Sequence, residues 1–172
     1  MTPAEFIAKF GVQSFWHFTD TRNLGSIRTA GAILRLAEAQ RRRIEIPAPG
    51  GNDWSQKADK RLGLDEYVHL CLVGEHPMEF RAKEQGHIVE SVFLGVSVEV
   101  LSVPDVRFAP GVANRSGVPL LTLDQAVAQM DFEVVYTRMN WKDPAIKERL
   151  KVARKYELLV PRDLPLALVR GL

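Results

Sequence analysis

Glu157 is the residue whose setting raises the sharpest chemical question. It opens the run Glu157-Leu158-Leu159-Val160, which reads as an apolar strand that Pro161 ends, since proline cannot donate to a ladder. A carboxylate at the mouth of such a run must face solvent, a partner or a substrate. Taken alone, the spacing favours the wet face of an edge strand; the rival reading is a catalytic acid held rigidly at a cleft. Other groups bear on the choice. His17 stands between Trp16 and Phe18, and Arg41-Arg42-Arg43 comes just before the irregular stretch Pro47-Ala48-Pro49-Gly50-Gly51-Asn52-Asp53. Guanidinium forks match phosphate oxygens bidentately, so the arginines suit a phosphate, although a solvated helix face explains them equally well. His69, Cys71, His76 and His87 include two metal-ligand types, but only His69 and Cys71 share a strand face and no Cys-x-x-Cys pair exists. No metal is expected. Cys71, in mid-strand, reads as a small core residue, and neither a Walker motif nor Gly-x-Gly-x-x-Gly is present.

The elements that must position these groups follow from periodicity and punctuation. Thr2, Pro3 and Glu5 predict a helix start, with Phe6, Ile7 and Phe10 on its apolar face and Gly11 as its stop. Residues 14–19 alternate as a strand, with Phe15, His17 and Thr19 on one face and Trp16 and Phe18 on the other. Asp20 or Thr21 caps the next segment, which carries Leu24, Ile27 and Arg28 at helical spacing and ends at Ala30-Gly31. Residues 38–43 form a charged helix or loop, and the Pro/Gly stretch after them is a candidate lid that includes Trp54. Residues 67–73 are the best strand in the chain. Residues 78–85 suit a helix, and residues 88–100 a long strand with a bulge or break at Gly95. A short strand at 106–108 and a turn at Asn114-Arg115-Ser116-Gly117 follow. Thr122 caps a helix, residues 132–136 fit helix end or strand, and Asp143-Pro144 opens a helix striped by Ile146, Leu150 and Ala153. That last helix delivers the chain to Glu157.

Composition bounds the class. At 172 residues and 46% hydrophobic, the chain suits one domain, spanning 1–172, with a core of its own. Lys plus Arg is 23 against 21 acidic residues, and the resulting +2 charge is too small to argue for nucleic acid by itself. A single cysteine excludes an internal disulfide and suits a reducing compartment. No signal-like start and no membrane-length apolar run is visible, so the expectation is a cytoplasmic protein without membrane association.

The order of motifs is more informative than any one of them. Trp16-His17-Phe18-Thr19-Asp20 with Asn23-Leu24 and Ile27, then Arg41-Arg42-Arg43 before Ile46-Pro47 and Gly50-Gly51, then Tyr67-Val68, His76-Pro77-Met78 and Tyr156-Glu157-Leu158-Leu159-Val160 together resemble the DarT family. These are toxin-type ADP-ribosyltransferases that attach ADP-ribose from NAD to a base of DNA. The resemblance runs from about residue 14 to about residue 162. It departs at the strand Tyr67-Val68-His69-Leu70-Cys71-Leu72, less aromatic than expected, and at His76.

The resemblance implies an α+β fold, the ADP-ribosyltransferase fold, with two small packed β-sheets, flanking helices and an NAD cleft between them. It implies Glu157 as the catalytic carboxylate, with Arg41 at the NAD phosphates or the acceptor base and Arg43 as the alternative in the triplet. His17, Thr19 and Asn23 would bind the adenosine ribose, and Tyr67 would stack on nicotinamide. On the acceptor side it implies Arg43, Asn114 and Arg115, while Trp54 is free to stack on a base or to pack within its loop, and Lys57, Lys60 and Arg61 are placed to track a backbone. A base is reached most readily when unstacked, so single-stranded DNA is the natural acceptor. NAD is then a co-substrate, and an antitoxin carrying a macrodomain is an implied partner in a toxin-antitoxin or phage-defence system. RNA or protein as acceptor, and a catalytically silent NAD or nucleic-acid binding module, remain the alternatives.

Overall fold

A computed structural model describes residues 1–172. The chain opens with α1 (Pro3–Phe10), where the Thr2 hydroxyl oxygen accepts from the Glu5 amide and the Glu5 carboxylate accepts from the Thr2 amide. This reciprocal box satisfies two orphan donors, and Gly11 closes the helix at φ 63°, a conformation that suits a residue without Cβ. β1 (Phe15–Asp20) and α2 (Leu24–Ala30) follow as the sequence pattern predicts, but Asp20 caps a 3₁₀ turn (Thr21–Asn23) that lies between them, and not α2 itself. Next come β2 (Ala32–Ile33) and α3 (Leu36–Arg41), then residues 42–52 without regular secondary structure. The chain continues through α4 (Asp53–Leu62), β3 (Val68–Cys71), α5 (Pro77–Glu84), β4 (Ser91–Val96) and β5 (Arg107–Ala109). It finishes with α6 (Leu123–Gln129), α7 (Phe132–Tyr136), α8 (Pro144–Ala153), β6 (Glu157–Val160), β7 (Leu164–Pro165) and β8 (Val169–Arg170). No helix is long and apolar enough to cross a membrane.

The α+β expectation holds, with two sheets of unequal size. Six antiparallel strands run in the order β5-β6-β3-β1-β4-β8, and β2 pairs with β7 in a separate ladder. The large sheet is itself divided. β1 shares six register pairs with β4, and β3 shares four with β6, but β1 and β3 meet only at Trp16 and Cys71. Beyond that point the two strands diverge, so the sheet divides into two three-stranded halves joined at one seam. The main core is one contiguous cluster that spans both halves, with Phe6, Phe15, Leu94, Phe108, Phe132 and Leu158 fully buried in it. Phe6, Phe10, Phe108 and Phe132 contact one another ring to ring at 4.8 to 6.0 Å between centroids, which locks α1 and α7 over β5.

Three local expectations need correction, and one open choice is decided. β4 runs straight through Gly95, which pairs with Trp16 and Arg170, and the chain leaves the sheet only at the 3₁₀ segment Val98–Ser102, so there is neither bulge nor second strand. The undecided stretch 132–136 is the helix α7, whose N-cap Asp131 accepts from the Val134 amide. Trp54 belongs to the first turn of α4 rather than to a loop, because Asn52 caps that helix through the Ser55 amide and Gly63 ends it at φ 69°. Finally, β6 is not an edge strand. It lies between β5 and β3, with Leu158 and Val160 in the main core and Leu159 packed against Leu64, Ala109 and Ala113 on the other face. Burial on both faces explains why its apolar run is continuous.

Candidate active site

Where β1 and β3 part, a cavity of about 280 Å³ opens along the seam. Consecutive residues of both strands line it, His17, Phe18 and Thr19 from one and Val68 through Cys71 from the other, with Tyr67 just before β3, which a continuous ladder would not allow. His17 bridges the gap: its Nδ1–H donates to the His69 carbonyl at 3.3 Å, in place of a ladder amide. This tautomer leaves Nε2 as an acceptor, and burial lowers the His17 pKa, so the ring stays neutral near pH 7. Aliphatic side chains from α2, β2 and α3, among them Ile27, Ile33 and Leu36, complete an apolar wall.

Glu157 forms the polar floor. Its backbone pairs with Cys71 on one side and Ala109 on the other, and its side chain is only 7% exposed. Two histidines flank the carboxylate. His69 Nδ1 donates to Oε2 at 3.0 Å, and His69 Nε2 donates to the Leu64 carbonyl at 3.1 Å. Since both ring nitrogens face acceptors, the imidazolium is the form that satisfies both. Burial works against that charge, but the hydrogen bond and negative charge of Glu157, with Asp59 nearby, outweigh it and raise the His69 pKa. His76 differs. It caps α5 with Nδ1 accepting from the Met78 amide, so its proton sits on Nε2, and burial lowers its pKa. That Nε2–H, on a side chain 2% exposed, has no hydrogen-bond partner and lies 3.9 Å from Glu157 Oε1. The distance exceeds a hydrogen bond but leaves room for one bridging hydroxyl.

The other expected residues divide between the cavity and its surroundings. Thr19, Asn23, Tyr67 and Asn114 line it together with His17 and Glu157. Asn23 is fully engaged: its Nδ2 donates to Thr19 Oγ1 and the Ala48 carbonyl, and its Oδ1 accepts from the Ala48 amide. It therefore clamps the irregular 42–52 segment to β1, while Pro49, Gly50 and Gly51 extend over the cavity. Trp54, 68% exposed, shares an adjoining groove with Arg81, Asn114 and Arg115, and Asn114 is tied to α4 through the Ser55 hydroxyl. Lys57, Lys60 and Arg61 are exposed on α4. Arg41 does not line the cavity. Leu36 and Ala39 turn the inner face of α3 toward it, which puts Arg41 on the outer face, 72% exposed and held bidentately by Glu38 at 2.5 and 2.7 Å. Arg43 follows the helix, exposed and with φ 54°.

Three contributors escape a reading of the sequence in isolation. The sequence offers His69 and His76 as metal-ligand types, and His76 also as part of a family motif, but does not show that both face Glu157; no group of three or more His, Cys, Asp or Glu is arranged to hold a metal ion. Their meeting depends on strand register: His69 pairs with Leu159 and so stands diagonal to Glu157. Asp59 enters the lining on α4, with Oδ1 buried and unpartnered and its pKa raised by burial. The Asn52 cap and Gly63 stop were the available signal for that helix. Cys71 is buried between strands, and burial pushes its thiol pKa well above the ordinary range, which leaves it unreactive.

Comparison with known proteins supplies the family. Among solved structures, Thermus sp. 2.9 DarT in complex with ADP-ribosylated ssDNA is similar with a TM-score of 0.67 and 19% identity, over 92% of this chain and 79% of that one. The same Thermus protein in complex with NAD⁺ gives 0.57 at 19% identity, over 92% and 79%. Thermosipho africanus DarTG in complex with ADP-ribose gives 0.66 at 19% identity, over 91% of this chain and 42% of that one. At these identities the likeness establishes the fold. A search of curated proteins finds no significant match. The profile of one family, described as DarT, ssDNA thymidine ADP-ribosyltransferase, matches residues 16–172, and the chain belongs to that family.

Proposed function

We propose that this chain acts as one domain that transfers ADP-ribose from NAD to a thymidine of single-stranded DNA, with Glu157 as the catalytic carboxylate. The observation that carries the reading is a buried carboxylate with one oxygen tethered and the other free, at the floor of a cavity in a split sheet. In the reaction the bond between ribose C1′ and the nicotinamide nitrogen breaks, nicotinamide leaves with the electron pair, and the acceptor atom of the base bonds to C1′ as its own proton is lost to solvent. Positive charge builds on the ribose as the bond stretches, and a fixed carboxylate stabilises it more than it stabilises the ground state. Glu157 Oε1 accepts a hydrogen bond from a ribose hydroxyl, whose oxygen accepts from His76 Nε2–H across the 3.9 Å gap. His17 Nε2 and the Thr19 hydroxyl hold the adenosine ribose, with Asn23 fixing Thr19 and the loop rather than touching NAD. Tyr67 stacks on nicotinamide. The Trp54 groove, flanked by Arg81 and Arg115, takes the unstacked strand, and the 42–52 segment closes over both substrates to exclude water. Arg41 reaches the NAD phosphates only by releasing Glu38, with Arg43 as the nearer guanidinium in sequence to the cavity-lining Ile44. In the cell we place the enzyme in the cytoplasm as a toxin, opposed by an antitoxin whose macrodomain removes ADP-ribose.

The test is incubation with labelled NAD and, separately, thymidine-containing single-stranded DNA, the same DNA lacking thymidine, RNA, and protein. Label confined to thymidine-containing DNA and lost in Glu157→Ala is the expected result. Label only on RNA or protein reassigns the acceptor, and intact NAD under conditions where NAD binds would leave a silent binding module.

A further inference from the structure

We infer that His69 is a positioning residue for Glu157: spanning the Leu64 carbonyl and Glu157 Oε2 as an imidazolium, it decides which carboxylate oxygen is tethered and which is left to the substrate. The inference rests on the reading of Glu157 as the catalytic carboxylate.

The geometry distinguishes the two oxygens. Oε2 receives the His69 Nδ1 proton at 3.0 Å, whereas Oε1 has only the distant, unpartnered His76 Nε2–H before it. A carboxylate bound through one oxygen by a ring that is itself pinned at its far nitrogen cannot rotate freely about its terminal bond. The residue is held at a third point, because the His69 carbonyl accepts from His17 Nδ1, so β3 is fixed here through both backbone and side chain. A neutral ring could satisfy only one of its two acceptors and would leave a lone pair facing either Leu64 or Glu157. Protonated His69 thus keeps a buried negative charge partnered while the reactive oxygen stays open.

A consequence is an alkaline limit on turnover. The groups facing His69 are Glu157 on β6, Asp59 on α4, His17 on β1 and His76 at the start of α5; Asp65, ahead of β3, acts on Asp59. The two carboxylates on β6 and α4 favour the imidazolium. Burial lowers the pKa of His17 and His76, so neither histidine gains or loses a proton where His69 does on the alkaline side.

The test compares wild type, His69→Leu, His69→Gln and Glu157→Gln in the full chain, with kcat and KM for NAD measured from about pH 6 to 9. We expect His69→Leu to lower kcat on the order of 10- to 100-fold with KM changed less than about threefold, because a carboxylate free to turn is misplaced for the reacting ribose. His69→Gln, which can still donate to Oε2, should recover part of that loss. The alkaline fall of wild-type kcat should be absent from both variants. Unchanged kcat and an unchanged alkaline limb in His69→Leu, beside an inactive Glu157→Gln, would overturn this inference alone. An active Glu157→Gln would instead overturn the reading of Glu157. Should His69→Leu fail to fold, ¹⁵N imidazole shifts of the wild-type protein decide: a doubly protonated His69 ring at pH 7 supports the inference, and a neutral ring there overturns it.

Discussion

Two buried carboxylates stand on the large sheet, Asp20 at the last residue of β1 and Glu157 at the first of β6, and their surroundings are opposite. Asp20 accepts five hydrogen bonds, from the backbone amide, Nε and Nη2 of Arg22 and from the Val89 and Glu90 amides. The Arg22 guanidinium, helped by the three backbone amides and opposed by burial, holds its carboxyl far below the usual carboxylate range. Every lone pair of Asp20 is in use, and its charge joins β1 to the chain entering β4. Glu157 is nearly as buried but has one strong donor, and the donor nearest its second oxygen stays out of reach. Burial alone therefore does not mark a functional acid. Unused acceptor capacity beside an unpartnered donor at a cavity is what sets Glu157 apart and supports the role proposed for it, since a folded protein seldom leaves both unsatisfied.

The sharpest way to break this comparison is to neutralise each carboxylate in turn. Glu157→Gln should reduce turnover about 10³-fold, the scale of losing a principal transition-state contact, while the melting temperature moves by only a few degrees. Asp20→Asn should do the reverse. Its amide places hydrogens against donors, at a cost of about 3 kcal/mol, or roughly 6–12 °C in melting temperature for a chain of this size. Turnover per folded molecule should stay within a few-fold. Because the folded-state pKa of Asp20 is depressed, its contribution is complete above the unfolded value near 3.8 and disappears as pH falls toward the folded one. The gap between wild type and Asp20→Asn in thermal melts should therefore narrow below about pH 4. Equal melting temperatures at pH 7 would remove Asp20 from its structural role.

A smaller effect separates binding from chemistry within the cavity. His17→Ala should weaken NAD binding about tenfold, near 1.4 kcal/mol, by deleting one hydrogen-bond acceptor and the bridge across the seam. Glu157→Ala should change it by less than about threefold, since in the role proposed for it the main contact forms in the transition state. Calorimetric affinities in the opposite order would exchange the two roles.

The smallest expected effect concerns Arg41. Its pair with Glu38 is exposed on the arginine side, so Arg41→Ala should leave the midpoint of a denaturant titration unchanged within error. Any large loss of activity in that variant then reports a contact made with NAD and not a damaged fold, and would show that α3 releases Glu38 when the substrate enters.

Much of this molecule is legible along the chain. The Thr2 capping box, the Gly11 and Gly31 stops, the Thr122 and Asp143 caps and the two-faced alternation of β1 are local events, decided by a few neighbouring residues and their backbone preferences. The order of His17, Tyr67 and Glu157 was likewise readable, because the order of motifs in a chain needs no folding to exist. Tertiary structure alone decided the rest. That β6 lies inside the sheet, that β1 and β3 part after a single pair, and that His69 and His76 converge on Glu157 all depend on strand register between segments far apart in the chain. The orientation of α3 settled that none of the three arginines lines the cavity, a matter that a run of three identical residues cannot encode. The physical reason is range: caps and periodicity are fixed by contacts within a turn or a strand, whereas a buried polar cluster exists only once its strands have chosen their partners.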